Sequence, residues 1–418
     1  LLLYFITSST IPYYCFSLVD SNALKLSKPV VLFGFKFDMI SSNFSAIGVI
    51  LLLASQVLAG PYPRDRVDQL QDAGMEKLKV YLAQHPPKSG CTLENAMKRK
   101  EWSSLTLDER RDYISAVKCL ASKPPKYSTS IVPGARSRYD DFVATHIQQT
   151  MSIHATANFL SWHRYYVWAY EKALREECGY KGYQPYEHWP YYASDPLKSP
   201  VFNGNETSMS GNGAKVPHPG IPFGTLTIQP ADGGGCIMSG PFKDFKTNLG
   251  PVAPVLNDVP RNPRQDGLGY NPRCLRRDVN PNSSKYTSEA HTYDLITQNR
   301  DIYWFQTVMQ GEMQKGNPGV HGGGHFTIAG DPGGDFYNSP ADPAFWLHHG
   351  MIDRTWWIWQ MQDLNTRLTA VSGSISPGGF GGTNGTLNDD IDLSVNAPKV
   401  KLGNLLDTMN GPFCYIYV

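Results

Sequence analysis

The sequence predicts one mainly α-helical domain with little β structure, covering about residues 60–418. Three observations support this fold class. Apolar residues recur at helical spacing in several segments, for example in "LTLDERRDYISAVKCLAS". The chain carries no internal repeat, and no stretch has the composition of a linker between domains.

Helical segments are predicted within residues 62–123, as two helices with a break in 140–177, and again in 299–315 and 342–366. Between them, residues 196–290 are rich in Gly, Pro, Asn and Ser. A long irregular segment inside a compact domain is more often functional or pinned by disulfides than idle.

The N-terminal region is predicted to be absent from the working protein. Residues 46–54 form an apolar run of nine residues, which is shorter than the roughly 20 needed to cross a bilayer. Ala59 suits cleavage by a signal peptidase. We therefore expect a signal peptide over 39–59 and a secreted product without a membrane segment. Residues 1–38 would be an upstream artefact or part of an atypical leader, and a buried helix or membrane anchor is the alternative for the apolar run.

Secretion predicts oxidised cysteines. Six cysteines follow the predicted cleavage site, which allows up to three disulfides in any of fifteen pairings: Cys91, Cys119, Cys178, Cys236, Cys274 and Cys414. Asn205, Asn282 and Asn384 begin glycosylation sequons. The 38 Lys+Arg and 37 Asp+Glu residues nearly balance, so the chain has no basic footprint for nucleic acid.

Six of the eleven histidines form two groups of three. The first group is His146, His154 and His163, and the second is His321, His325 and His349. His154 and His163 would face opposite sides of a continuous helix, so they converge only if a helix begins after His154. Asn158 and Ser161 are candidate caps for that helix.

The second group is predicted to combine a turn with a helix. Asp342-Pro343 is a helix-start signal that places His349 two turns into a helix. Gly322, Gly323 and Gly324 separate the other two histidines, and each costs a helix about 1 kcal/mol relative to Ala. We expect a turn there, in which the missing side chains let backbone and substrate approach closely.

Each trio offers imidazole alone, which indicates the kind of metal. Mg²⁺ and Ca²⁺ prefer oxygen ligands, a blue-copper site needs cysteine, and imidazole suits copper, zinc and iron. Six neutral ligands do not cancel the charge of two cupric ions, which favours reduction to Cu(I) and binding of O₂. Two copper ions are therefore predicted. A single zinc site is the competing assignment, but it leaves one trio without a role. Two trios on packed helices place the site at the centre of a bundle.

The segments "HATANFLSWHRYYVWAYE" and "DPAFWLHHGMID" resemble the two copper motifs of the tyrosinase, catechol oxidase and hemocyanin group. "RKEW", "GGGCIMSGPF" and "NPRCLRRD" resemble short secreted fungal phenol oxidases, and the resemblance extends over about residues 90–418. It implies a four-helix bundle around two coppers and O₂ that oxidises small phenols or catechols to quinones. The first trio would bind one copper and the second trio the other.

The resemblance also implies roles for residues around the ligands. In "HHGMID", His349 is the ligand because Asp353 follows it at the family's spacing, and His348 would lie beside the site. Asp353 would orient a ligand or pair with Arg164, and a purely structural ion pair is equally consistent. Phe336 is a candidate gate over the second copper. Phe159 and Phe345 would pack under the ligands, and Tyr415 and Tyr417 resemble a pair that closes the catalytic domain in larger relatives.

Substrate preference is predicted from two positions. Gly322 stands where many phenol hydroxylases of the family have Asn, which with an upstream acidic residue is thought to hold a water that deprotonates monophenols. The upstream position here is Gln310 or Glu312. If it is Gln310, no base is present, and we expect o-diphenol oxidation with weak monophenol hydroxylation. A full tyrosinase, an o-aminophenol oxidase and a hemocyanin-like O₂ carrier are the alternatives.

The remaining expectations concern histidines. Ser152 stands where many relatives have a cysteine bonded to a ligand, so His154 is expected to be held by packing alone. His85 and His218 are expected in surface loops, and His188 in an aromatic core segment. His291 has no partner at a ligand's spacing.

Overall fold

Helices and very short strands make up the regular structure of residues 64–418, which are the residues that the computed structural model describes. The signal-peptide and leader predictions and Cys15 lie outside them. The helices are α1 (Arg66–Gln84), α2 (Leu107–Leu120), α3 (Arg138–Ile153), α4 (Phe159–Cys178), α5 (Pro281–Ser284), α6 (Glu289–Gln298), α7 (Ile302–Gln310), α8 (Gly319–Ile328), α9 (Ala344–Gln362) and α10 (Leu364–Arg367).

The strands pair two by two and build no extended sheet among the described residues. They are β1 (Met97–Arg99), β2 (Gly213–Lys215), β3 (Ile221–Phe223), β4 (Leu226–Ile228), β5 (Gly234–Ile237), β6 (Lys246–Thr247), β7 (Arg273–Cys274), β8 (Asp390–Ile391), β9 (Val400–Lys401) and β10 (Tyr415–Tyr417). β1 pairs with β10 in parallel, and the other four pairs are antiparallel. The prediction of a mainly helical domain is confirmed.

Four helices pack against one another as a bundle within the described residues: α3 contacts α4, α4 contacts α9 and α9 contacts α8. α3 begins at Ser137, whose hydroxyl and the Asp140 carboxylate form a capping box. The chain then breaks at His154, which is extended, and α4 begins after Asn158. The predicted break is confirmed. α4 ends at Gly179, which has a left-handed φ of 71° that suits glycine at a helix end.

α9 is buried along nearly its whole length, from Ala344 to Met361. The helix begins one residue later than predicted, with Pro343 rather than Asp342 at the N-cap position, and the Asp342 Oδ1 accepts a hydrogen bond of 2.8 Å from the Ala344 amide. The same carboxylate pairs with buried Arg277 at 2.6 Å. This ion pair ties the start of α9 to the irregular segment that follows α4.

Three disulfides cross-link the described part of the chain. Cys236–Cys274 lies inside the segment predicted to be irregular, Cys119–Cys178 joins α2 to the end of α4, and Cys91–Cys414 joins the neighbourhoods of β1 and β10. All six predicted cysteines are therefore paired. Residues 64–418 form one compact unit, and none of their helices is long and apolar enough to cross a membrane.

Candidate metal centre

The first trio lies where α3 ends and α4 begins. His146 is on α3, His154 is the residue that ends it, and His163 is one turn into α4. The centroids of the three rings are 4.9 to 5.8 Å apart. The break in the chain therefore brings together side chains that one continuous helix would have separated.

Backbone carbonyls fix the orientation of all three rings. Nδ1 of His146 lies 2.8 Å from the Tyr337 carbonyl oxygen, Nδ1 of His154 lies 2.9 Å from that of Thr150, and Nδ1 of His163 lies 2.8 Å from that of Phe159. A carbonyl only accepts, so each Nδ1 donates its proton and each Nε2 keeps a lone pair. His154 is thus held by a hydrogen bond as well as by packing, which corrects the expectation of packing alone.

The Nε2 atoms of the first trio suit a metal ion. Those of His146 and His163 are buried and have no hydrogen-bond partner among the described residues. Buried polar atoms are normally satisfied. In metal sites, a carbonyl typically accepts a hydrogen bond from the ring nitrogen that does not bind the metal, and this fixes the tautomer of the ligating imidazole.

The second trio converges more tightly. Nε2 of His325 lies 3.2 Å from Nε2 of His321 and 3.2 Å from Nε2 of His349. Three ligands bonded at about 2.0 Å in tetrahedral geometry are about 3.3 Å apart. The Nε2 atom of His325 therefore lies at the separation from each of its two neighbours that binding to one metal ion would require.

The two trios face each other. The rings of His163 and His349 stack with centroids 4.7 Å apart, and those of His154 and His321 are 5.8 Å apart. The ligand atoms fall into the groups His146, His154, His163 and His321, His325, His348, His349, each within 4.8 Å. Two metal ions held here would be neighbours.

Burial keeps the six imidazoles uncharged at neutral pH. Desolvation lowers the pKa of each ring, to about 4 for His154, and neighbouring histidines lower most of them further. Only the neutral ring has the lone pair that a metal requires. The cluster therefore offers six neutral nitrogen ligands, as the sequence indicates.

The glycines between His321 and His325 are helical, which corrects the predicted turn. They lie within α8. Hydrogen bonds offset their low helix propensity, because the Gly323 carbonyl accepts hydrogen bonds from the hydroxyls of Ser283 and Thr327. Gly324 has a separate role, because a Cβ there would overlap the imidazole of His348. The missing side chain of Gly324 leaves room for the imidazole of His348. Of the three glycines, only Gly322 lines the cavity at the open side of the site.

A cavity of about 100 Å³ leads to the histidines. Its lining residues are His154, Phe223, Gln310, His321, Gly322, His325, Phe326, Gly333, Gly334, Asp335, Phe336 and Ser339. Of the two candidates for the upstream position, Gln310 is among these lining residues and Glu312 is not. Its Oε1 accepts a 2.7 Å hydrogen bond from the Ala155 amide, whereas Glu312 pairs with Lys315 at 2.6 Å.

Phe336 lies at the mouth of this cavity with 44% of its surface exposed. Its ring packs on His154, with centroids 4.6 Å apart. Phe336 thus lies against the first trio, and it lines the cavity together with His321 and His325 of the second trio. The hydrogen bonds from the Tyr337 and Asn338 amides to Asp335 hold the loop in this place.

Asp353 makes no hydrogen bond to a ligand ring among the described residues, and it lies in a buried network instead. Its carboxylate pairs with Arg164 at 2.6 Å and with Arg99 at 3.2 Å. It also accepts hydrogen bonds of 2.6 Å from the hydroxyls of Tyr415 and Tyr417. This geometry is that of a structural ion pair, which is one of the roles considered for Asp353. The two tyrosine hydroxyls also link β10 to α9.

The other histidines lie away from the cavity. His188 is buried between Asp65, 2.7 Å from its Nε2, and Arg354, which donates to its Nδ1 at 2.8 Å. The side chain of His218 is only 5% exposed and lies 3.0 Å from Asp278, so its placement on the surface is wrong. His85 is exposed, as expected, and His291 is exposed as well.

Sequence reasoning missed a buried acid behind the second trio. Glu187, Trp189 and His348 line a second, small cavity of about 20 Å³, to which Gly324, Thr327 and Ile328 of α8 also contribute. Desolvation raises the pKa of Glu187 to about 7, although a 2.8 Å hydrogen bond from the Ser199 hydroxyl opposes the rise. The glutamate stands in "YEHWPYYA", and no motif or spacing marks it.

A helical bundle with two facing three-histidine clusters, each shaped for one metal ion, defines a dinuclear metalloprotein. The model of the common central domain of tyrosinase matches residues 136–362. The chain belongs to the tyrosinase family, and it is an oxidoreductase of the polyphenol oxidase type with two copper ions as cofactor.

Similar proteins come from fungi. Tyrosinase-like protein orsC of Emericella nidulans is 42% identical over 70% of this chain and 81% of its own length. Tyrosinase P of Aspergillus terreus is 40% identical over 76% of this chain and 91% of its own length. A solved polyphenol oxidase variant from Thermothelomyces thermophila is 40% identical, covers 84% of this chain and 97% of its own, and superimposes with a TM-score of 0.77.

Proposed function

We propose that this polyphenol oxidase oxidises o-diphenols to o-quinones and hydroxylates monophenols only weakly. The two trios are the proposed ligands of the two coppers, which supply the binding and reduction of O₂ when they are present. Two catechols and one O₂ give two o-quinones and two waters, so each catechol loses two electrons and two protons. The protein's part is to admit the substrate and to provide or withhold a base.

The absence of a free base beside the ligands carries the proposal. Asp335 is the one carboxylate among the described residues that line the cavity. Its Oδ2 accepts from the amides of Val252 and Ala253, at 2.8 and 2.9 Å. Its Oδ1 accepts from two further amides, at 2.8 and 3.2 Å. Both oxygens are therefore committed to the backbone.

Apart from the histidines, the remaining polar side chains that line the cavity are those of Gln310 and Ser339, and both are neutral at every working pH. A monophenol must lose its proton before its single oxygen becomes a good ligand. A catechol is more acidic and binds through two oxygens. The cavity thus favours the diphenol because it offers no free base that could deprotonate a monophenol.

Installing the missing amide tests the proposal. A Cβ at Gly322 would lie 3.3 Å from the Pro318 Cβ, its nearest neighbour, so the proline must give way by a few tenths of an ångström. Gly322→Asn, alone and combined with Gln310→Glu, is expected to raise the ratio of 4-methylphenol to 4-methylcatechol oxidation by roughly tenfold, about 1.4 kcal/mol in relative barrier.

Gly322→Leu is the matched control, because it adds similar bulk without an amide. An unchanged ratio in both the single and the double variant would count against the proposal, as would a wild-type ratio near one. A hemocyanin-like carrier would bind O₂ but consume none with a catechol. Metal analysis that finds zinc, or a single copper, would overturn the ligand assignment.

We also propose that the enzyme works outside the cell after cleavage behind Ala59. The three disulfides support this, because such bonds persist in oxidising compartments. N-terminal sequencing of the protein recovered from culture medium is expected to begin at Gly60. Recovery of the activity from the cytosolic fraction alone would contradict it.

A further inference from the structure

The wall of the copper-site cavity is aromatic. Phe223, Phe326 and Phe336 are three of its lining residues. The rings of Phe223 and Phe326 meet edge to face with centroids 5.8 Å apart, and Phe326 directly follows the proposed ligand His325. A substrate ring held at the metals therefore has phenyl groups beside it.

Phe223 stands on a hairpin that is anchored separately from the main core. β3 and β4 pair through Ile221 and Ile228, which are buried with Ala329 in a small apolar cluster of their own. Phe326 packs against that cluster. The hairpin is therefore built onto the end of α8, next to the second trio.

The tip of the hairpin is also fixed. Gly224 has a φ of +57°, and a Cβ there would overlap the Met313 carbonyl. Only glycine allows this approach at low cost. Contact with the segment that follows α7 holds Phe223 in place, so the ring is part of a defined wall.

The cavity offers nothing to a charged substituent. Among the described residues that line it, there is no lysine and no arginine, and its one carboxylate is committed to four backbone amides. The nearby Glu312 and Lys315 neutralise each other at 2.6 Å. A charge taken from water into such surroundings without a partner is strongly disfavoured.

We propose that the cavity selects catechols with an uncharged, apolar ring substituent, and that Phe223 is the specificity-determining residue that contacts this substituent. Catechols that carry a carboxylate or an ammonium group are poor substrates. The inference rests on the proposed diphenol oxidation, and it narrows the substrate class of that site.

A size-matched series tests the selection on the copper-loaded protein. The substrates are 4-ethylcatechol, 3-(3,4-dihydroxyphenyl)propionate as the anion and dopamine as the cation, compared by kcat/KM at constant ionic strength. We expect kcat/KM for 4-ethylcatechol to exceed that for either charged catechol by at least tenfold, mainly because its KM is lower. Values within threefold of one another would overturn the proposal.

Two substitutions assign the effect to Phe223. Phe223→Ala is expected to lower kcat/KM for 4-ethylcatechol several-fold more than for unsubstituted catechol. Phe223→Arg is expected to raise the anion relative to 4-ethylcatechol by at least tenfold. Phe380→Ala is the control, because that ring is 88% exposed and does not line the cavity.

Failure of the two proposals is distinguishable. If no catechol in the series is oxidised, diphenol oxidation is overturned, and the selection is then decided by calorimetric binding of the same three compounds without O₂. Equal affinities, or an unchanged preference in Phe223→Arg, would overturn the selection. Tighter binding of 4-ethylcatechol would uphold it.

Discussion

The imidazole of His348 lies against the backbone of Gly324, so closely that a Cβ at residue 324 would overlap its Cε1 and Nδ1. The ring of His348 in turn packs beside His325, with centroids 4.5 Å apart. The position of a proposed copper ligand thus depends on a residue that has no side chain.

Gly324→Ala should consequently damage the second metal site. Alanine favours the helix by about 1 kcal/mol, but forced overpacking costs about 1 to 3 kcal/mol and displaces the ring. We expect lower copper content and lower stability, measured by elemental analysis and denaturant unfolding. Gly322→Ala is the control, since its Cβ meets nothing closer than 3.3 Å. Equal copper content in the two variants would refute the packing argument.

Phe336→Leu tests the gate. The phenyl ring packs on His154 at 4.6 Å between centroids and is 44% exposed. A smaller, more flexible side chain should admit bulkier rings, so we expect kcat/KM for 4-tert-butylcatechol to rise relative to catechol. Phe380→Leu should leave this ratio as it is. If the relative rates for bulky and small catechols are the same in Phe336→Leu and wild type, Phe336 is not a gate.

Asp353→Asn should destabilise the protein by about 3 to 5 kcal/mol, because it leaves buried Arg99 and Arg164 without their shared anion. Burial opposes ionisation of Asp353, but the two arginines and two tyrosine hydroxyls hold its pKa below the ordinary value. A lowered carboxyl pKa contributes stability above the unfolded value near 4 that is lost as the pH falls through the folded one.

Guanidinium unfolding at pH 7 and at pH 3 measures this contribution. The difference between wild type and Asp353→Asn should shrink at the lower pH. Asp232→Asn removes a pair in which both side chains are at least 73% exposed, and it should cost less than about 1 kcal/mol. Equal losses for the two variants would contradict the account of the buried network.

Glu187→Gln should change how stability depends on pH. Burial raises the pKa of Glu187 to about 7, above the unfolded value of about 4.3. Between these values the folded state binds more protons, so the free energy of unfolding of wild type falls as the pH rises. The glutamine variant lacks this slope, and its advantage should grow from pH 5 to pH 8. Parallel stability curves would show that Glu187 is ionised in the fold.

The sequence was sufficient for the helices of the bundle because their apolar spacing is regular and their ends carry local signals. Asp342-Pro343 marks the start of α9, and the break after His154 follows from the need for two rings to converge. The two histidine trios stand in long, spaced motifs. These features depend on residues close together in the chain, which is where sequence reasoning is strongest.

Features that depend on distant neighbours were misjudged or missed. The glycines of α8 look unfit for a helix until hydrogen bonds from Ser283 and packing by His348 are known. Phe336 lies at the first trio because backbone amides bind Asp335 and fix the loop. Glu187 becomes notable only through its burial, which no local pattern reveals.

The Cys91–Cys414 bridge spans 323 residues, so nearly all of the described polypeptide is one covalent ring. A protease that cuts a single surface loop inside that ring cannot release a fragment. The nicked enzyme would keep its mass in a non-reducing gel and separate into two pieces only after treatment with a thiol. Closing a ring of that length lowers the entropy of the unfolded chain, which stabilises the fold by about 5 to 6 kcal/mol. One cut inside the ring would remove this stabilisation, although the two pieces would stay joined by the disulfide.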